Sequence, residues 1–409
     1  MFPVMKILQI HNEYQTLGGE EVVLNAERSV LEANGHEVQQ WIARSSEIQE
    51  LSSAQKLRVS LDSVWSHNVY SQIKIFLQEH RPNVAHIHNT VPLISPSVYA
   101  ACQSEGVPVV QTLHNFKLVC PGSNLYRDNQ VCEKCIGKSF TYPALIHGCY
   151  RRDYLSTAFL VSSLTFNRMR GTYSKEIDTY IALTEFARKK FIEAGLPSEK
   201  LVMKPNFVTA QIGKGSHQGG YALFAGRLIS QKGVETLLQA WSLLDESVPL
   251  KIAGTGYLAE QIQSQLPNNV EYLGQLPRQE VISLMQNATF LVFPSEWYEG
   301  FPMTIVEAFA TGLPVIASRL GGMAEIVQAG TSGWHFESGN PQDLAAVVQQ
   351  AWRDLQEVKR RGELARVQYE ELYSPEQNYQ MLLNIYQKVL KTKDADEVCT
   401  DLVLERTNV

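Results

Sequence analysis

No run among the 409 residues approaches the ~20 apolar positions that a membrane-spanning helix needs. The opening MFPVMKILQIH makes a poor secretory leader, because its apolar stretch is short and broken by Gln9 and His11. An excess of one charge sign is missing too: 36 Lys and Arg face 42 Asp and Glu, a net of −6, which argues against a general nucleic-acid binder. Glycine (26) and proline (17) are too few for collagen, and the 44% hydrophobic and 19% charged contents fit neither disorder nor a coiled coil. No fixed-period repeat recurs. These absences leave a cytosolic α/β protein with more chain than one core of ~100–200 residues accommodates.

Charge is uneven along the chain. Residues 1–205 hold 21 Lys and Arg against 19 Asp and Glu (net +2), and the remainder holds 15 against 23 (net −8). A mildly basic first half suits an anionic membrane surface or an acidic acceptor, and equally chance drift.

Short apolar runs alternate with amphipathic ones. Residues 4–11, 38–43, 84–89, 107–114 and 178–184 read as strands, with helical patterns near 20–34, 66–80, 96–105 and 185–194. The irregular stretch 205–220 reads as an interdomain linker. The alternation then restarts, with strands at 221–227, 249–254, 270–274, 289–295 and 314–318 and helices near 233–244, 258–266, 278–287, 304–311 and 341–352. The expected organisation is a domain over 1–207 with a cysteine-rich insertion at 115–150, a second domain over 208–374, a helix over 375–391, and a frayed polar tail over 392–409. Apolar strands alternating with helices mean parallel sheets covered on both faces, in two doubly wound domains that face one cleft. Ligands bind such sheets at the carboxyl ends of strands, so the functional residues belong there.

The stretch PSEWYEGFPMTIVEAFATGLPVIAS (294–318) carries the strongest signal. Glu299 lies in a loop after a strand and Glu307 on the helix that follows, and the first helical amides, at Met303 and Thr304, suit an anionic phosphate. Taken alone, the two glutamates would read as a solvated loop residue and an ordinary helix residue. The segment resembles the E-x7-E signature of the retaining glycosyltransferases of family 4, and the EGFP turn, EAFATGLPVIAS and GGMAEIV (321–327) follow the same pattern. The resemblance, which extends to about Leu390, implies a GT-B fold of two facing Rossmann-like domains and a nucleoside-diphosphate sugar as donor. It implies that Glu307 holds the ribose and Glu299 the donor sugar. The amides of Gly300, Phe301, Pro302, Met303 and Thr304 would line the sugar and diphosphate.

FAGRLISQKG (224–233) sets Arg227 at a strand end and Lys232 before a helix, in register with the family's R-x4-K pair. Two fixed cations would stabilise a departing diphosphate. No Asp-x-Asp string stands at a strand end, so no cofactor is expected for the chemistry. Gly18 and Gly19 form a loop that lets backbone approach a ligand, and the resemblance puts it near the diphosphate. His114, at a strand end, matches the family histidine that faces the donor sugar. Asn115 follows it where relatives carry Asp. His86 and His88 are candidates for the acceptor side.

Cys120, Cys132, Cys135 and Cys149 have the spacing C-x11-C-x2-C-x13-C, which suits a structural tetrahedral Zn²⁺ site near the acceptor loop. The basic amphipathic stretch 150–175 suits peripheral contact with the anionic inner face of a membrane. The acceptor would be a hydroxyl of a glycan or lipid-linked glycan in polysaccharide, lipopolysaccharide or glycolipid assembly, and the sugar a hexose. Three other readings stand beside this one. GTGYLA (254–259) satisfies a dinucleotide fingerprint, as an NAD-dependent oxidoreductase requires. A nucleotide-sugar epimerase or hydrolase would share the fold, and an inactive zinc-stapled scaffold would only bind a partner.

Overall fold

The computed structural model describes residues 3–13, 18–50, 52–209 and 212–407. The first sheet begins with β1 (Lys6–Glu13), β2 (Glu37–Arg44), β3 (Val84–Asn89) and β4 (Val109–Leu113). A small antiparallel hairpin, β5 (Tyr126–Arg127) and β6 (Gln130–Val131), intervenes before β7 (Thr179–Ala182) and β8 (Leu201–Met203) complete the sheet. Its order is β2-β1-β3-β4-β7-β8, all parallel. The second sheet contains β9 (Ala222–Ala225), β10 (Leu250–Ala253), β11 (Val270–Gly274), β12 (Phe290–Phe293), β13 (Val315–Ser318) and β14 (Gly333–Phe336), in the order β11-β10-β9-β12-β13-β14. It too is parallel throughout.

Every residue of β3, β4, β9, β12 and β13 is buried, because helices cover both faces of each sheet. The chain's last helix (Pro375–Thr407) covers one face of the first sheet. Leu382, Leu383 and Tyr386 pack there on Ile7, Val84, Val110 and Ile181. That helix runs well past the expected end near Leu390, since no Pro or Gly follows Pro375 to stop it. The expected linker is also more than a spacer. Gly215 N–H donates to the Thr311 carbonyl (2.8 Å) and His217 N–H to that of Gln286 (2.9 Å), so this strip lies fixed on the second half.

The strand order reverses between β1 and β3 in the first sheet and between β9 and β12 in the second. Loops that leave neighbouring strands at such a point part to opposite faces and open a crevice between them. Arg227 and Lys232 follow β9, and Glu299 follows β12.

Candidate active site

The loops after β9 and β12 are fastened to each other. Glu296 N–H donates to the Gln231 carbonyl (2.9 Å), and Ser295 Oγ lies 3.2 Å from the same oxygen. Gly233, at φ +66°, is required here, since a Cβ would lie 1.9 Å from the Pro294 carbonyl oxygen. This close approach brings Lys232 Nζ to 2.7 Å from Glu299 Oε1. Ser295 Oγ (2.5 Å) and Trp297 Nε1 (2.7 Å) donate to the same oxygen. Burial opposes a charge on Glu299, but the Lys232 ammonium and the three hydrogen bonds outweigh it and hold the carboxyl below its usual range. The result is a carboxylate fixed in one orientation with its second oxygen outside that set of bonds.

Arg227 is exposed and its side chain makes no hydrogen bond or ion pair among the described residues, so its guanidinium is available to an anion. Glu307 is held by a residue that sequence reasoning missed. Arg278 Nε donates to Glu307 Oε1 (2.9 Å), and its Nη2 lies 2.8 Å from the same oxygen as an ion pair. The helix Met303–Thr311 opens without a side-chain cap, so the first-turn amides of Met303 and Thr304 have no helical acceptor. One of the five predicted backbone positions needs correction. Pro302 has no N–H to offer, and the Phe301 ring packs against Tyr373 inside the protein, at 6.0 Å between centroids, leaving only its amide.

Gly300 meets the opposite half. A Cβ there would stand 2.3 Å from the His114 carbonyl oxygen, so only glycine lets the loop after β12 touch the end of β4. The His114 ring is buried, and its Nε2 shares a hydrogen with His88 Nδ1 at 2.9 Å. Burial, with the nearby His11, His86 and Lys204, pushes the His114 pKa down to about 3, so the ring is neutral and serves as a hydrogen-bonding group. His86 and His88 do not line an open acceptor surface, contrary to expectation. They are sealed beneath it with Glu27, whose Oε1 takes a 2.8 Å bond from Lys204 Nζ. His86 bonds Tyr386 (2.8 Å) and Thr112 (2.7 Å), and burial lowers its pKa to about 4.

Gly18 and Gly19 stand at the start of the helix Gly19–Ala33, where Gly18 N–H donates to Glu21 Oε2 (2.8 Å). A Cβ on Gly19 would meet nothing within 4 Å, so that position faces open space and not packing. The GTGYLA glycines do the reverse. A Cβ at Gly254 would lie 1.8 Å from the Gly226 oxygen, and one at Gly256 would lie 2.3 Å from the Leu228 oxygen. Their small size serves to seat the turn that carries Arg227, and the protein's own backbone fills the place a dinucleotide's phosphates would take.

The four cysteines form no disulfide, and no three of their sulfurs lie within 4.8 Å of one another. Of the basic residues beside them, Arg168 is committed to the carbonyls of Leu118, Lys138 and Ser139, and Arg170 stacks on Trp65 at 3.8 Å. Arg151 and Arg152 remain exposed.

Comparison with known proteins decides the family. Residues 17–211 match the model described as Glycosyltransferase Family 4, and residues 211–368 match that for glycosyl transferases group 1, consecutive matches that together run over most of the chain. The chain belongs to the family 4 glycosyltransferases. An uncharacterised glycosyltransferase of Methanocaldococcus jannaschii is 30% identical over 251 residues, covering 59% of this chain and 64% of that one. The amylovoran biosynthesis glycosyltransferase AmsK of Erwinia amylovora is 26% identical over 186 residues, covering 41% and 46%. The alignments thus span between about half and two thirds of these relatives' own length. Among solved structures, Anabaena HepE in complex with UDP and glucose superposes with a TM-score of 0.65 at 18% identity, over 94% of this chain and all of that one. Sucrose-phosphate synthase of Thermosynechococcus elongatus gives 0.70 at 15% identity, over 95% and 100%. At such identities the likeness is one of fold, and that fold is GT-B.

Proposed function

We propose that this family 4 protein transfers a hexose, with retention, from a nucleoside-diphosphate sugar to a hydroxyl of a glycan or lipid-linked acceptor. The observation that carries the reading is the pairing of Lys232 with Glu299 at the switch point of the second sheet, beside an unengaged Arg227. As the bond from the sugar to the diphosphate oxygen breaks, its electron pair passes to the diphosphate. Arg227 and Lys232 stabilise that growing charge. The acceptor oxygen bonds to the same face of the sugar, and its proton passes to the departing phosphate oxygen. Glu299 and neutral His114 orient the sugar, Glu307 the ribose, and the amides of Gly300, Phe301, Met303 and Thr304 the sugar and diphosphate, with Gly18 and Gly19 approaching from the first half. The Anabaena structure in complex with UDP and glucose supports a donor of this class, and the AmsK relative supports a role in polysaccharide assembly.

The setting is proposed to be the inner face of a membrane. No helix among the described residues is long and apolar enough to cross a bilayer. Tyr142, Ile146, Tyr154, Leu155 and Met169 nevertheless expose apolar surface beside Arg151 and Arg152, a combination that suits anionic lipid. Flotation with phosphatidylglycerol vesicles should carry the protein up, and recovery of all of it in the bottom fraction would remove the membrane from the proposal. For the chemistry, a panel of nucleotide sugars is screened for slow hydrolysis and thermal stabilisation. One donor should stand out on both. If none does, while NAD(H) raises the melting temperature, the reading is wrong.

A further inference from the structure

We propose that Cys120, Cys132, Cys135 and Cys149 bind one zinc ion, and that this centre holds the β5–β6 hairpin as a clasp on the Trp297–Glu299 loop of the opposite half. The clasp goes beyond a local staple for the first half. Its effect on turnover rests on the reading of Glu299 given above, whereas the metal and the contact do not.

The donor set is chemically suited to zinc: four cysteines with a Cys-x2-Cys knuckle, Cys135 buried and Cys120, Cys132 and Cys149 half-buried, none of them in a disulfide. Gly122 lies where the Cys120 turn meets Cys149: a Cβ there would be in ordinary contact, 3.6 Å from the Cys120 sulfur and 3.7 Å from the Cys149 Cβ. Cys132 N–H donates to the Leu125 carbonyl (2.8 Å), tying the knuckle to the start of the hairpin. No three of the four sulfurs lie within 4.8 Å of one another. Zinc would draw them to a tetrahedron with Zn–S bonds of about 2.3 Å and release their protons to solvent. The group of Glu27, His86 and His88 does come within 4.8 Å. There the Lys204 ammonium, 2.8 Å from Glu27, already supplies the cation.

The hairpin reaches across the cleft. Asp128 and Asn129, at φ +53° and +57°, form its tight turn, residue types that tolerate this backbone. Tyr126, on β5, meets the Trp297 ring edge-on at 6.4 Å, and Trp297 is the residue that donates to Glu299. Glu133, inside the Cys-x2-Cys knuckle, lies beside Tyr298 and pairs with Lys190 at 3.0 Å. Both neighbours of Glu299 on the aromatic side thus lean on an element that packs in two places: Leu125, Cys120 and Ile136 on the main core of the first half, and Cys135 and Cys149 in a small separate cluster with Ala144, Leu145 and Val161. A metal held by the four cysteines would tie the two parts together.

The test uses the full chain purified without chelators or a histidine tag. Elemental analysis should give one zinc per chain. Cys132→Ser and Cys135→Ser should each lower this at least fivefold, and Cys102→Ser should leave it intact. Acrylamide quenching of Trp297, read as wild type minus Trp297→Phe, should rise about twofold when zinc is stripped and fall back when zinc is restored. Tyr126→Ala should raise the quenching while keeping the zinc. Zinc below a tenth per chain that added Zn²⁺ does not raise, or two disulfides among the four cysteines by mass spectrometry, overturns the metal site. Unchanged Trp297 quenching on zinc removal overturns the clasp. None of these readouts requires transfer activity, so failure of the proposed function would show separately, in the nucleotide-sugar screen.

Discussion

The two halves share a parallel six-stranded sheet but handle charge in opposite ways. In the first, Glu27, Lys204, His86 and His88 are sealed under the cleft, and the Glu27–Lys204 ion pair is fully buried. In the second, Lys232 and Glu299 pair at the cleft wall and Arg227 stands in solvent. A sealed network satisfies itself and cannot respond to a ligand, so it fixes geometry. Here it ties the helix Gly19–Ala33, β3 and the last helix together through Glu27, His86 and Tyr386. An open pair can exchange partners when an anion arrives. The difference assigns framework duty to one set of charges and binding duty to the other.

Removing a sealed charge should therefore cost the most. Glu27→Ala strands the Lys204 ammonium in a dry site, and the expected loss is about 3–5 kcal/mol of unfolding free energy, measured by urea denaturation. The double variant Glu27→Gln, Lys204→Met should recover most of it. A loss below about 1 kcal/mol for Glu27→Ala would mean that water reaches the network, and the contrast between the halves would break.

Next in size is Lys232→Ala. It should lower turnover about 100–1000-fold while changing donor affinity far less, because its charge matters most as the diphosphate departs. Thermal stability should hardly move, in contrast with Glu27→Ala. A change confined to affinity would demote Lys232 from leaving-group stabiliser to simple donor binder.

The third prediction uses pH. His86 and His114 have pKa values lowered to about 4 and about 3, first by burial, against an ordinary value near 6.5. Below about pH 6.5 the unfolded chain takes up protons that the native state refuses, so stability falls as pH drops toward 4. The slope is about 1.4 kcal/mol per pH unit for each histidine. Denaturation midpoints at pH 7 and pH 5 should differ accordingly, and His86→Gln should flatten the dependence. A flat profile in the wild type would show that these rings are not held neutral.

How much of this could be read beforehand depends on sequence distance. Strands β3, β9 and β12 are runs of apolar residues and announce themselves, and the loop with Glu299 follows one of them directly. The short strand β8 offers only three residues, too few for a period. The helix Leu355–Leu372 is hidden by Gly362, which reads as a breaker. In fact a Cβ there would lie 2.3 Å from the Gly312 carbonyl oxygen, so the glycine serves helix packing. Arg278 lies 29 residues from Glu307, and Tyr126 is even farther in sequence from Trp297. Pairs such as these depend on tertiary folding and leave no local mark. Trp297 did leave one, an indole two residues from a carboxylate in SEWYEG, a donor at a spacing that a loop can bring together.

The smallest effect expected is that of Arg278→Ala, and it asks whether the open side of the comparison is as yielding as described. The Arg278 side chain is half exposed, so its ion pair with Glu307 should contribute no more than about 1 kcal/mol to stability. Its hydrogen bond and its closest ion-pair contact both fall on Oε1, which leaves the other carboxylate oxygen aimed by the pair without being consumed by it. Loss of Arg278 frees Glu307 to turn, and a ribose would then have to order it on binding, a cost of about 0.5–1.5 kcal/mol for one side chain. Nucleoside diphosphate affinity, measured by isothermal titration with the base chosen from the donor screen, should weaken two- to tenfold with the melting temperature nearly unchanged. Tighter binding in Arg278→Ala would mean that Arg278 competes with the ribose for Glu307, and the pair would be a gate on the site, not a brace for it.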